Sequence, residues 1–464
     1  MSLPELPKPD ETWSASALAA HQVMSAQIEK LMSTVDELQR QLKLNSRTSS
    51  KPPSSDRERR PAKKKKKTGR TKGAQKGHKG STRVLLEPDE VINCEPIDAH
   101  CSCGGSWVER ESFKRLQITD LPQIKPTVTE YRERCLSCER CGHETYASAR
   151  LPLGESRFGP YLHTFIVSLN LESRLSFRQI RALLKQSFNL SVSVGAISDM
   201  VKRVARHSKS SFEELLTWYQ QDKGAKHVDE TGWKVRGERT QLISTLNDSA
   251  VLYQCSKLRK AEDVKRLIGH DLKQLIICDR AFVYHPWELR QLCWAHTLRD
   301  FNCFDTYREM KSHAKALIKY TQRLFELARG HQSGRISTAD YVLRASEIRP
   351  LIKSILKSLS ELEVAKKPDG TVRNLLKYEE QLWTFLKYPA IPIHNNRQES
   401  ALRPLVIKRK LSFGNDTPQG ADRLAQLMSI IETLKRQGRD VYSWFINAFQ
   451  GETSSLVPTP LASR

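Results

Sequence analysis

The sequence predicts a multidomain α+β protein, on three observations. Apolar residues stepping by four and three near the start predict a long helix; a lysine-rich tract with almost nothing to bury interrupts the chain after it; and near position 230 three extended runs, a helical run and a further extended run follow in order. At 464 residues and 38% hydrophobic composition, the chain is long enough for several packed units.

The formal net charge of +24 favours a polyanionic partner held through phosphate contacts and counterion release, so nucleic acid is the expected partner class. An anionic membrane surface is the competing partner, but no stretch approaches the roughly 20 apolar residues of a membrane span, so no membrane association is expected. The first 30 residues contain Glu5, Asp10 and Glu11 and no apolar signal core, which predicts a cytoplasmic protein. The ten cysteines are therefore expected as metal ligands or buried thiols rather than disulfides.

Residues 1–18 are Pro-rich and receive no element. Met24, Ile28, Leu31, Val35, Leu38 and Leu42 keep an a/d seam on one side of a helix, predicting a coiled coil over 19–45. About three heptads are marginal alone, and the flanking segment is too polar to serve as a core, so a self-paired dimer is expected over packing on the body. Residues 46–83 hold SSKPPSSD, the run Lys63, Lys64, Lys65, Lys66 and Lys67, and thirteen Lys and Arg between Lys51 and Lys79. With so little to bury, the tract is expected to be disordered when free and to act as a phosphate-binding tether; a merely solvated linker is the competing reading.

Residues 84–150 carry Cys94, Cys101, Cys103, Cys135, Cys138 and Cys141, with His100 and His143 adjacent. Cys138 and Cys141 form a CxxC followed by Gly142, the shape of a metal knuckle, whereas Cys101 and Cys103 have a single spacer. The expectation is a zinc-ribbon-like module with one tetrahedral Zn²⁺ on Cys101, Cys103, Cys138 and Cys141, Cys135 and His100 being the substitutes. Reduced structural cysteines are the competing reading. Residues 155–220 read as helical: Tyr161 to Leu171, then Phe177 to Phe188 with Ile180, Leu183 and Leu184 inward, then Val194 to Val204. The last pair suits a helix-turn-helix whose second helix presents Lys202, Arg203 and Arg206 to a major groove; plain helical packing competes with it.

Residues 221–300 contain KHVDETGW, in which Ala225 to Asp229 reads as a short strand ending at an acid. QLISTL (241–246) and VLYQC (251–255) follow as strands, AEDVKRLI (261–268) as a helix closed by Gly269, and LIIC (275–278) as a buried strand ending at Asp279; 290–294 is a further short strand. Acids ending the first and fourth strands of this order predict the first part of a ribonuclease H-like α/β core. Residues 301–390 read as a helical insertion, and 391–450 as completion of the core by a helix with Asn395 or Asn396 as its cap, Glu399 on its first turns, and Pro404 bending or stopping it. Asp229, Asp279 and Glu399 are hard oxygen donors, suited to Mg²⁺ or Mn²⁺, and each alone also reads as a solvated acid or a cap. In CWAH, Cys293 and Trp294 are expected in the core, while His296 is a candidate for the scissile phosphate. Arg403, Lys408, Arg409 and Lys410 are expected to hold phosphates beside the metals, and Leu424, Leu427, Ile430, Ile431 and Leu434 to form one buried helical face.

HVDETGW, the pair Asp279 and Arg280, CWAH with RDF at 299–301, NNRQESALRP and RKLSFG resemble transposases of the insertion sequence sixty-six family, over roughly residues 20–450. SSKPPSSD adds to the resemblance, and DRAFVYHPW and NNRQES depart from the usual family pattern. The resemblance implies a DDE transposase in which Asp229, Asp279 and Glu399 bind the catalytic metals and double-stranded DNA supplies both element ends and target. A homodimer or higher oligomer, accessory proteins of the same element and a bacterial, nucleoid-associated location are expected with it. A non-catalytic DNA-binding regulator and a ribonuclease H-like nuclease without strand joining are the rival expectations.

Overall fold

The computed structural model describes residues 13–43, 84–94, 101–108, 115–122, 124–146, 156–362, 364–452 and 455–458. The lysine run 63–67 and His100 lie outside them. Helix α1 (Ala15–Lys43) is continuous, and Met24, Leu31, Val35 and Leu38 of the seam are exposed along it. Strands β1 (Cys135–Ser137) and β2 (Glu144–Tyr146) form a two-stranded antiparallel ribbon. Most of the described residues around it, from 84 to 134, belong to no helix or strand, and their large apolar side chains are exposed; Ile118 is 90% and Val128 87% exposed. Among the described residues, this front part has no apolar core.

Four helices then pack together: α2 (Pro160–Leu171), α3 (Phe177–Phe188), α4 (Val194–His207) and α5 (Lys209–Gln221). A capping box starts α3, where Ser176 Oγ accepts from the Gln179 amide and the Gln179 side chain accepts in return, and Ser193 caps α4. Residues 189–193 join α3 to α4. Helix α4 runs three residues past the expected Val204 and buries Ile197, Met200, Val201, Val204 and Ala205. Lys202 and Arg206 stay exposed and Arg203 is half-buried. The Lys202 ammonium pairs with Asp199 at 2.7 Å.

A five-stranded mixed sheet forms the centre, from β3 (Lys226–Val235), β4 (Glu238–Leu246), β5 (Val251–Ser256), β6 (Ile276–Cys278) and β7 (Arg290–Leu292), with α6 (Ala261–Ile268) between β5 and β6. Its spatial order is β5-β4-β3-β6-β7; the first two pairings are antiparallel and the last two parallel. Alternation along β3 separates two covered faces. On one face, Lys226 donates to the Ile268 carbonyl at 3.1 Å and lies over the Tyr219 ring, while the Tyr219 hydroxyl meets Thr245 Oγ1 at 2.7 Å, so α5 and α6 cover it. On the other, Asp229, Ser244 and Tyr253 fall in one row by register.

After the sheet come α7 (Trp294–Phe304), the antiparallel pair α8 (Lys311–Gln332) and α9 (Thr338–Ser360), then α10 (Lys366–Lys377), α11 (Glu379–Leu382) and α12 (Thr384–Lys387). Arg349 of α9 grips the buried Glu379 carboxylate with two hydrogen bonds of 2.9 and 2.8 Å, tying the insertion together. Its short helices also cover the β7 edge, where Gln291 donates to the Leu382 carbonyl and accepts from the Phe385 amide. Helices α13 (Asn396–Ser412), α14 (Pro418–Arg436) and α15 (Val441–Gln450) complete the body. Helix α14 closes the opposite edge: the β5 amides of Val251 and Tyr253 donate to the hydroxyls of Thr433 and Ser429. Both edges that would otherwise recruit a foreign strand are therefore satisfied within the chain.

Two local expectations are corrected. Strand β3 does not end at Asp229 but continues to Val235, because its antiparallel partner β4 supplies hydrogen bonds as far as Glu238. Pro404 does not stop the helix that bears Glu399, which runs on to Ser412; its ring removes one backbone donor, and side chains at both ends secure the remaining turns.

Candidate active site

Register alone brings the first two acids together. Strands β3 and β6 pair in parallel through Lys226↔Ile276 and His227↔Ile277; carried two residues further, the same register sets Asp229 beside Asp279. The two acids are near enough for the Asp279 charge to act on the Asp229 carboxyl. Strand β6 ends at Cys278, and the loop is turned at once by the Ala281 amide donating to Asp279 Oδ1 at 2.8 Å.

The third acid comes from α13, which lies over the same face. The Tyr253 hydroxyl, in the row of Asp229 and Ser244, donates to the Ala401 carbonyl at 2.6 Å, half a turn past Glu399. Two asparagines hold this helix at its ends. Asn395, fully buried, meets His227 Nδ1 at 2.7 Å, donates to the Val228 carbonyl at 2.8 Å, and gives its backbone amide to Cys293 Sγ. It stands at the cap position, but its side chain ties the helix to β3 and makes no capping bond. At the far end, Asn415 accepts from the Trp233 indole at 3.0 Å, and its backbone pairs with Lys234 and Arg236. Gly414 permits this: its φ is +126°, and a Cβ there would fall 2.2 Å from the Lys234 carbonyl oxygen.

Burial, then the charges of Asp279 and Glu399, push the Asp229 carboxyl well above the usual carboxylate range, although it keeps some open surface. Glu399 is 42% exposed and its Oε1 accepts from Arg299 Nη2 at 2.9 Å. Arg299 belongs to α7, with His296 one turn before it and Nε2 of that histidine 3.1 Å from the same guanidinium nitrogen. Burial and the Arg299 charge lower the His296 pKa. A pocket of about 190 Å³ opens here beside Asp279, lined by Arg280, His296, Arg299, Asp300 and Lys367, and Arg280 is paired with Asp300. Cys293 and Trp294 are in the core, at 1% and 0% exposure. Asp229, Asp279 and Glu399 thus approach one another, yet among the described residues no three His, Cys, Asp or Glu side chains stand grouped to hold a metal ion.

The expected phosphate-binding cations divide. Arg403 and Lys410 are exposed on α13. The Lys408 ammonium donates into the body to the Asn170 carbonyl at 2.9 Å, and burial lowers its pKa to about 8. Arg409 donates to the Gly232 carbonyl and to Thr231 Oγ1. As placed, these two cations hold α13 to its neighbours and do not line an open surface. Sequence reasoning gave no role to Asn415 or Arg299, and took Asn395 only for a cap; an asparagine two positions after the apolar Ile393 was the available signal for a partner across the fold.

In the front part the cysteines form two separate turns. The Cys138 amide donates to the His143 carbonyl and the Gly142 amide to the Cys138 carbonyl; Cys101 and Gly105 form a similar turn. Backbone amides of Arg140 and Cys141 and the Cys141 thiol lower the Cys138 pKa, and Cys103 lowers that of Cys101. Cys103 lies beside Cys101 and Cys141 beside Cys138, and the four are not gathered into the single tetrahedral group expected for Zn²⁺.

Residues 155–423 match the family described as Transposase IS66 family, and residues 3–84 match a family of unknown function, DUF6444. A stretch of 154 residues is 26% identical to the uncharacterized protein y4qI of Sinorhizobium fredii; it covers 33% of this chain and 29% of that protein's length. Among the described residues no helix is long and apolar enough to cross a membrane.

Proposed function

The chain belongs to the IS66 family of transposases, and from this membership we propose that it binds the ends of an insertion element and catalyses divalent-metal-dependent DNA strand cleavage and strand transfer. In this reading the five-stranded sheet with α6 and α13 is a ribonuclease H-like core, and Asp229, Asp279 and Glu399 hold Mg²⁺ or Mn²⁺. The observation that carries it is the register that sets Asp229 beside Asp279, under a helix whose Glu399 raises the Asp229 pKa. A carboxyl such as Asp229, whose ionisation burial and then two neighbouring acids disfavour, belongs in a donor set that a hard divalent cation relieves. When bound, such ions activate an attacking oxygen and steady the leaving one in phosphodiester displacement.

The chain's own residues supply position. Asn395 and Asn415 keep α13 over the sheet, and the paired strands β3 and β6 fix the backbone on which Asp229 stands and from which Asp279 follows. Arg403 and Lys410 are the exposed cations on the same helix for a DNA backbone. Helix α4 supplies end recognition through Lys202, Arg203 and Arg206, and the tract holding Lys63, Lys64, Lys65, Lys66 and Lys67 adds sequence-independent affinity. Cys101, Cys103, Cys138 and Cys141 hold a structural Zn²⁺ whose binding draws the two turns together. The exposed seam of α1 pairs with a second copy of the chain, consistent with a cytoplasmic dimer acting on paired element ends.

The test is cleavage and joining of a labelled element-end duplex with Mg²⁺ or Mn²⁺. Asp229→Asn, Asp279→Asn and Glu399→Gln are each expected to lower both reactions by about a thousandfold or more, with DNA binding retained. A wild type that binds ends but never cuts, even with accessory proteins supplied, supports a regulator instead. Cutting without joining supports a nuclease.

A further inference from the structure

The contact that most resists a simple three-carboxylate site is the one between Glu399 and Arg299. The guanidinium lies 2.9 Å from Glu399 Oε1 and 3.1 Å from His296 Nε2, at the wall of the pocket beside Asp279. Its helix is not free to drift: the Trp294 amide at the start of α7 donates to the Ile393 carbonyl, and the Cys293 amide before it donates to the Cys278 carbonyl. Arg299 therefore projects from a fixed base into the place where a positive charge offsets the acids. Arg280, the other arginine of the pocket, is engaged by Asp300, which is not among the three acids. Of the two pocket arginines, Arg299 is the one ion-paired with a member of the candidate donor set.

We propose that Arg299 is a displaceable internal counter-ion: without a divalent cation it holds Glu399, and when a cation takes that carboxylate the freed guanidinium turns into the pocket beside Asp279 to bind a phosphate of the DNA. The inference rests on the three-carboxylate reading and deepens it. The surface pair is held by little intrinsic energy, as exposed ion pairs are, so exchanging a guanidinium for a divalent cation at a partly exposed carboxylate is within reach of ordinary binding energies. Two consequences follow from one residue. In the absence of DNA, Arg299 competes with the cation for Glu399. In its presence, the phosphate gives the released guanidinium a new partner, so cation and DNA strengthen each other's binding reciprocally.

The experiment measures Mn²⁺ binding to the full-length protein by electron paramagnetic resonance, with and without a duplex of about forty base pairs of arbitrary sequence. Arg299→Gln is expected to bind Mn²⁺ several-fold more tightly than wild type without DNA, and to lose the DNA-dependent gain in Mn²⁺ affinity that the wild type shows. Arg299→Lys, which keeps a charge, is expected to stay near wild type in both, and Arg280→Gln to show no tightening without DNA. Unchanged or weakened Mn²⁺ binding in a folded Arg299→Gln protein overturns the counter-ion role. If Asp229→Asn and Asp279→Asn fail to weaken Mn²⁺ binding, the three-carboxylate reading itself fails, which the Arg299 arm alone does not test.

Discussion

The two candidate metal centres are built on opposite terms. Asp229 lies on a central strand, Asp279 directly follows the strand paired with it, and α13 is fastened over them at both ends, so packing fixes the backbones that carry these acids without any ion. Cys101 with Cys103, and Cys138 with Cys141, are each shaped by a local turn, but nothing apolar packs one turn against the other among the described residues. Donors carried by a packed sheet are preorganised by the core; donors carried by isolated turns must be assembled by the ion they bind.

That contrast predicts effects of very different size. The largest belongs to the cysteines. Structural zinc contributes on the order of 10 kcal/mol in small modules, so Cys138→Ser, or chelation of the wild type, should make residues 84–146 readily cleaved in limited proteolysis while the body keeps its melting transition. Equal protease resistance with and without zinc would erase the distinction. In the body, the matching perturbation is to the fastening, not to an ion. Asn395→Ala leaves the Val228 carbonyl and His227 without their partner, and should cost about 3 kcal/mol and lower the melting temperature by several degrees, whether or not Mg²⁺ is present.

A smaller effect comes from the sheet's covered face. Lys226 is fully buried, and burial lowers its pKa to about 8. A lysine whose folded pKa lies below its unfolded value of 10.5 binds fewer protons when folded; unfolding then takes up a proton between the two values, and stability rises with pH from about 8 to 10.5. Chemical denaturation across that range should show a gain of about 1 to 3 kcal/mol, flattened in Lys226→Met. The smallest effect on folding is expected in α1. Leu31 and Leu38 are exposed, so Leu31→Glu with Leu38→Glu should leave the melting temperature of the body unchanged while halving the molar mass seen by light scattering. A body that melts earlier would mean that the seam packs on it.

Much of this was legible because the signals are local. The α3 and α4 starts follow from Ser176 and Ser193, and the meander from extended runs separated by turn residues. Asp229 was misread as a strand end because the short extended run before it was taken to stop at the acid, while the antiparallel pairing that prolongs β3 depends on β4. Lys408 and Arg409 were misread as surface cations because periodicity does not reveal that Asn170 and Gly232 wait beneath them.

Composition, spacing and motif thus determined the class of protein and the order of its elements, and singled out three acids as candidates. Only the tertiary structure decided how those acids meet: strand register joins two of them, Asn395 and Asn415 hold the helix of the third over their face, and Arg299 occupies its carboxylate. The physical reason is range. Propensity and capping act over a few neighbouring residues, whereas a carboxylate's partners are chosen by packing between distant segments, as with Arg299 and Glu399, 100 positions apart.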